Sequence, residues 1–177
     1  MMSLYLVEAS LSELVSTKEE LNAKVEELKT KLENAGSSLI EVQVANDFSR
    51  SFIIVEAEDE RSTIDRLQEV GIIASLVKEV RLVGDDLENV KANKDKVNYL
   101  VEWNLPEDLT MEKYLERKKQ NSVHYAEVPE VKFARTYVCE DMTKCLCFYD
   151  APNVEAVKRA REAVKAPIDE ITEILND

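Results

Sequence analysis

The sequence predicts an α+β protein made of two tandem units, each with the element order β-α-β-β-α-β. One observation is an internal repeat: Tyr-Leu-Val-Glu at residues 5–8 recurs at 99–102, and Asp-Phe-Ser-Arg at 47–50 corresponds to Asp-Met-Thr-Lys at 141–144 with the same spacing. Constant spacing across separate segments indicates a duplication. The other observation is that the hydrophobic periodicity divides both copies into the same series of strands and helices.

In the first copy, alternation predicts a strand over residues 5–9. A capping box, from Ser16 to Glu19 or one residue later, then starts a helix that continues to Gly36. Strict alternation at 40–44 and an apolar run at 52–55 predict a hairpin. A shorter helix ending at Gly71 and a strand over 75–83 complete the unit.

In the second copy, strands are predicted over 97–103, 131–139, 144–149 and 171–175. A helix is predicted over 110–123, and Asn153 caps another. The polar stretch 85–96 is predicted to be a linker, so that the repeats occupy residues 1–84 and 97–177. Units with this element order form ferredoxin-like sheets with helices on one face. We expect the two open sheet faces to cover each other, which gives a pseudo-dimeric α/β barrel.

Composition excludes several classes of protein. The net charge of −13 over 177 residues repels phosphate backbones, and the short basic run at 117–119 is interpreted as a solvated helix face, so no nucleic-acid partner is expected. No apolar run approaches the roughly 20 residues that span a bilayer. The three cysteines form an odd set between Cys139 and Cys147, and no basic leader precedes the first strand. These features predict a reduced cytoplasmic protein, with no membrane partner and no disulfide.

Several short motifs of the second copy lie, in order, at residues 99–102, 105–106, 137–138, 141–145, 149–152 and 166–171. Together they are similar to a family of small bacterial domains of unknown function that includes nickel-binding proteins with a ferredoxin-like barrel fold. The resemblance implies the fold and a divalent metal such as nickel as a cofactor, but no reaction. One departure is Lys165, which stands where relatives are expected to have the glycine that ends a helix.

Two cysteines and the single histidine are the candidate metal ligands. Cys145 and Cys147 lie two apart on a predicted strand, so both thiols face the same side, and soft thiolates suit nickel or zinc. The alternative is that they are buried apolar residues of the core. His124 is a candidate ligand, and the alternative is a histidine that interacts with the dipole of a helix C-terminus.

A ligand-binding wall is predicted from the aromatic residues of the second copy. It contains Tyr99, Trp103, Tyr137, Cys145 and Tyr149, with Glu102 as the candidate charge. The alternative is ordinary core packing, and strand alternation places Glu102 opposite to Trp103. The equivalents of Trp103, Cys145 and Cys147 in the first copy are Ala9, Ser51 and Ile53, so one site per chain is expected.

The functional prediction is a non-catalytic binding protein for a metal ion or a small organic ligand. The sequence has no phosphate-binding glycine loop, nucleophile elbow or zinc-protease motif. One alternative is a cofactor-free monooxygenase or isomerase acting in the barrel cavity, by analogy of fold. The other is a structural or regulatory interaction module. The expected assembly is a monomer with an internal pseudo-dimer, or a weak homo-oligomer.

Overall fold

The computed structural model describes residues 2–92 and 96–175, which divide into two compact units. The first unit comprises residues 1–80 and 90–92, and the second comprises residues 81–89 and 93–177. None of the helices in the described ranges has the length and apolar character needed to cross a membrane.

The first unit has the predicted element order. Its elements are β1 (Ser3–Ala9), α1 (Lys18–Asn34), β2 (Ser38–Val44), β3 (Ser51–Ala57), α2 (Glu60–Glu69) and β4 (Leu76–Val83), the last of which continues into the second unit. The strands are antiparallel in the order β2-β3-β1-β4. Of the two predicted capping boxes, the later one supplies the N-cap: the Thr17 side chain accepts a hydrogen bond from the Glu20 amide at 3.1 Å, and the Glu20 carboxylate accepts one from the Ser16 amide at 3.3 Å.

The second unit repeats this order. A short helix, α3 (Leu87–Lys91), lies in the segment predicted to be a linker, and its Val90 is buried. The other elements are β5 (Tyr99–Asn104), α4 (Met111–Asn121), a 3₁₀ turn (Ser122–Glu127), β6 (Lys132–Cys139), β7 (Lys144–Asp150), α5 (Val154–Ala163) and β8 (Glu170–Glu173). The order of the antiparallel strands is β6-β7-β5-β8, which is the arrangement of a ferredoxin-like sheet.

Irregular backbone features recur at matching positions in the two units. Each hairpin turn has a non-glycine residue with positive φ, Phe48 at 63° and Met142 at 60°. The aspartate before it accepts the amide hydrogen bond of the residue after it, over 3.0 Å in the first unit and 3.1 Å in the second. The pairing between the second and third strands of each unit, in sequence order, is interrupted by a register shift. The shift follows Leu39 in the first unit and Phe133 in the second.

The glutamates predicted at equivalent strand positions are both buried and paired with cations. Glu8 contacts Arg50 at 2.8 Å, and Glu102 contacts Lys144 at 3.0 Å. Arg50 directly precedes β3, and Lys144 is the first residue of β7, so both cations follow the hairpin turn. These carboxylates therefore stabilise the pairing of β1 with β3 and of β5 with β7, because a buried charge requires a partner of opposite sign.

The second helix of each unit ends in the left-handed backbone region. Gly71 has φ of 86° and Lys165, its equivalent, has φ of 57°. A lysine at this position carries the steric cost that glycine avoids. The structure thus gives the physical reason why glycine was expected at residue 165.

Replacing Lys165 with glycine should stabilise the protein by about 1 kcal/mol, because the left-handed conformation costs an L-residue roughly 1–2 kcal/mol. Urea unfolding measures the change. The matched control is the reverse substitution, Gly71→Ala, whose added Cβ would make only an ordinary contact with Leu14 at 3.5 Å. It should destabilise by a similar amount, and an equal change of the same sign in both variants would contradict the explanation.

Candidate functional site

The second unit contains a half-open pocket beneath α4 and α5. Its cavity volume is about 30 Å³. The pocket is lined by Trp103, Tyr114, Arg117, Lys118, Asn121, Ser122, Tyr125, Cys147, Arg161, Val164 and Ala166. A cavity of this size accommodates a water molecule or one small functional group, so a larger ligand would place only part of itself inside.

One face of α4 and the following 3₁₀ turn supplies six of these residues. Thr110 caps the helix by accepting the Lys113 amide hydrogen bond. The lining residues from Tyr114 to Tyr125 then recur three or four positions apart, which places them on the same side of the helix. The basic run at 117–119, interpreted from sequence as solvated, therefore contributes Arg117 and Lys118 to the pocket. The recurrence of polar and aromatic residues at helical spacing could have predicted from sequence that they share one face of the helix.

Arg161 is the buried cation of the pocket. It lies on α5 and is only 2% exposed. One terminal nitrogen donates a hydrogen bond to the Tyr149 hydroxyl at 3.1 Å, and the other donates to the carbonyl of Pro167. Its Nε is buried and has no hydrogen-bond partner in the part of the chain that the structure describes. A guanidinium in this state has an unused donor beside the pocket.

Aromatic rings surround the base of the pocket. The hydroxyls of Tyr125 and Tyr149 are 2.6 Å apart, and Tyr125 stacks on Phe133 with ring centroids separated by 5.3 Å. Burial is the main cause that raises the pKa of Tyr114, Tyr125 and Tyr149 above the ordinary tyrosine value. These hydroxyls consequently stay neutral and can donate hydrogen bonds at physiological pH.

The two rim cations are held over aromatic faces. The guanidinium of Arg117 lies 5.3 Å from the Trp103 ring centroid, and the ammonium of Lys118 lies 4.5 Å from that of Phe133. Arg117 also donates a hydrogen bond to the Lys165 carbonyl at 2.6 Å. These contacts fix the direction of two otherwise flexible side chains.

Cys145 and Cys147 are free, buried thiols on β7, and both belong to the core on the helix side of the sheet. The hydrogen bond between them raises the pKa of Cys145 and lowers that of Cys147. The nearby charges of Lys118 and Arg161 lower the pKa of Cys147 further, as does the hydroxyl of Thr136, which donates to its sulfur at 3.2 Å. Burial acts in the opposite direction on Cys147, but its pKa is lowered on balance, so the thiolate form is favoured at Cys147 over Cys145. Cys147 also lines the pocket.

The structure divides the predicted ligand-binding wall between the two faces of the sheet. Tyr99, Trp103, Cys145 and Tyr149 belong to the core beneath the helices, but only Trp103 lines the pocket itself. Tyr137 packs on the other side, where its ring contacts Phe148 edge to face at 6.0 Å.

Glu102 also lies away from Trp103, as strand alternation predicted. It is paired with Lys144 and is not among the residues of the pocket.

The three predicted metal ligands do not come together. His124 is half-buried in the 3₁₀ turn and is hydrogen-bonded to Glu127, whereas Cys145 and Cys147 are buried. Within residues 2–92 and 96–175, no group of three or more His, Cys, Asp or Glu side chains is arranged to hold a metal ion. The donors around the two thiols, a hydroxyl and cationic side chains, do not make a nickel site.

The buried Arg161 was missed by sequence reasoning. Its periodic position places it on the apolar side of α5, where arginine is rarely found. The equivalent residue of the first unit, at the constant spacing of the repeat, is the buried Leu67. An arginine on the apolar side of a helix, where the repeat has leucine, was the available signal.

Comparison with known proteins bears on the second unit and on the fold. Residues 99–174 match the model of the family described as "Nickel responsive protein SCO4226-like". The solved structure of SCO4226 from Streptomyces coelicolor A3(2) aligns with 45% of this chain and 98% of its own, at 18% identity and a TM-score of 0.39. No curated protein matches the chain.

Two other solved structures align along nearly the whole chain. A "Putative Chlorite dismutase TA0507" has 10% identity and a TM-score of 0.55 over 99% of this chain and 94% of its own. An anthrone oxidase-like protein has 12% identity and a TM-score of 0.53 over 99% and 92%. These likenesses show a common fold, and they do not transfer an activity.

The thiolate of Cys147 gives a spectroscopic prediction. Ultraviolet absorbance of the native protein should show a thiolate that titrates below the ordinary thiol pKa, and Cys147→Ala should remove it. Cys145→Ala should shift the titration to higher pH, because it removes the hydrogen bond that contributes most to lowering the pKa. Cys139→Ala is the control, since burial raises the pKa of Cys139. A low-pH titration that persists in Cys147→Ala would contradict the assignment.

Proposed function

We propose that this protein binds a small organic ligand in the pocket of its second unit. The observation that carries the proposal is the combination, in one half-open pocket, of an aromatic wall and a few convergent polar groups. Trp103, Tyr114 and Tyr125 supply the wall, and Arg161 and Cys147 supply polar groups. This is the usual composition of a site for small molecules.

The difference between the two units supports one site per chain. Trp103 is replaced by Ala9, Cys147 by Ile53 and Arg161 by Leu67. The first unit therefore fills the corresponding volume with small or aliphatic side chains. Its role in this proposal is structural.

The sole tryptophan of the chain, Trp103, lies in the pocket wall and provides the test. Titration with a panel of small aromatic fragments, charged and neutral, should change its fluorescence and raise the melting temperature. The substitution Ala166→Leu, at the pocket lining, should weaken binding at least tenfold by occupying the site. Glu162→Leu, an exposed position outside the lining, should leave binding unchanged. Binding that survives Ala166→Leu at full strength would place the ligand elsewhere.

Metal binding is the second candidate function, and the family match of residues 99–174 favours it. The donor set around Cys145 and Cys147 does not fit nickel. We expect calorimetric titration with Ni²⁺ and Zn²⁺ to give the same weak result for the wild type, His124→Ala and the double variant Cys145→Ser/Cys147→Ser. A loss of binding confined to the cysteine variant would restore the metal hypothesis.

We also propose that the two units arose by duplication and pack as a pseudo-dimeric barrel. Support comes from features found in each unit separately: the same strand order, the same hairpin turn and the same helix ending. An experimental structure in which the two sheets share no interface would contradict the packing. A catalytic role in such a barrel, as monooxygenase or isomerase, rests on likeness of fold alone and would require measured turnover.

A further inference from the structure

The charge of the pocket is opposite to that of the chain. The protein has a net charge of −13, yet the pocket lining contains three cationic side chains, Arg117, Lys118 and Arg161, and no carboxylate. Among the described residues, none of these three cations forms an ion pair with an aspartate or glutamate. The three cations therefore have no carboxylate partner among the described residues, although the chain is rich in carboxylates.

Of the three cations, Arg161 is the most deeply buried and therefore has the greatest need of a nearby anion. Burial removes the guanidinium from water, and the loss of hydration is costly unless a counter-charge and hydrogen-bond acceptors replace it. The acceptors present, the Tyr149 hydroxyl and the Pro167 carbonyl, are both neutral and satisfy only the terminal nitrogens. The Nε–H is still without an acceptor. Buried polar groups with no partner are rare, so this one points to a group that the polypeptide does not supply.

Cys147 is the internal alternative as a counter-charge. Its thiolate lies close enough to interact with Arg161 and Lys118. Its hydrogen bonds, however, come from Cys145 and Thr136, and it does not accept one from Arg161 Nε. The thiolate therefore balances part of the positive charge and leaves the donor of Arg161 unsatisfied.

The pocket is small and half-open. Its cavity volume, about 30 Å³, has room for a compact head group, so the rest of a ligand would extend from the opening past lining residues such as Trp103. Arg117 and Lys118 are held at this pocket by their contacts with the rings of Trp103 and Phe133. The arrangement fits a molecule with a compact anionic end and an apolar body.

We propose that the ligand of this pocket is a small organic acid. Its carboxylate accepts a hydrogen bond from Arg161 Nε and is stabilised by the charges of Lys118 and Arg117, while its apolar body lies against Trp103 in the mouth. This inference rests on the proposed function, since it names the chemical class of the ligand for the same pocket. A hydrogen bond from a guanidinium to a carboxylate is charge-assisted and about twice as strong as one between neutral groups, which favours an acid over its neutral amide.

The test compares an acid with its neutral isostere. Benzoate and phenylacetate are titrated against benzamide and phenylacetamide, with Trp103 fluorescence as the readout. We expect each acid to bind the wild type at least tenfold more tightly than its amide. Lys118→Gln and Arg117→Gln should each reduce affinity for the acids severalfold and leave affinity for the amides unchanged. The matched control is Lys119→Gln, which removes the same charge from the same helix at a residue outside the pocket lining.

Arg161→Met should abolish the preference for acids, and circular dichroism establishes whether this variant is folded. If Arg161→Met does not fold, the substitutions of Arg117 and Lys118, neither of which is buried, still decide the test. Equal affinity for acids and amides would overturn the inference and leave the proposed function standing. Absence of binding by all four compounds would overturn both. Tighter binding of inorganic phosphate than of either acid would show that the site selects an inorganic anion. That result would contradict the inference that the ligand is an organic acid.

Discussion

The alternation of side chains along β5 and β7 is the constraint on which the second unit depends. Successive residues of a strand point to opposite faces, so Trp103 and Cys147 reach the helices whereas Glu102 and Phe148 cannot. The hairpin fixes the register of β6 with β7, and the ion pair between Glu102 and Lys144 stabilises that of β5 with β7 on the face away from the pocket. A slip of one residue would exchange the two sets and remove the pocket.

Burial of Arg161 sets the electrostatics of the site. Its charge, together with that of Lys118, favours the thiolate of Cys147, and its terminal nitrogen orders the hydroxyls of Tyr149 and Tyr125. The tyrosines remain protonated because burial opposes their ionisation. The site therefore combines a cationic donor, neutral hydroxyls and a polarizable sulfur, which suits recognition of an anion better than coordination of a cation.

Comparison of the two units explains how one fold supports a site in one half and a plain core in the other. The backbone irregularities recur: the turn at Phe48 and Met142, the register shift and the left-handed helix end. These features depend on local sterics, which change little when core side chains change. The site depends on a few large side chains. At the position equivalent to Arg161 the first unit has Leu67, which lacks the positive charge but occupies the same place on a helix.

By itself, the sequence determined the α+β class, the element order and the strand positions, and it placed the first helix cap at Ser16 or Thr17, because periodicity and capping are local properties. Alternation also separated Glu102 from Trp103 correctly. Only the tertiary structure decided that Arg117 and Lys118 lie at a pocket with Arg161, and that His124 does not approach the cysteines. These residues belong to different elements, and the distance between two elements depends on how helices pack on a sheet. That packing is a non-local property, and the spacing of residues within one segment cannot determine it.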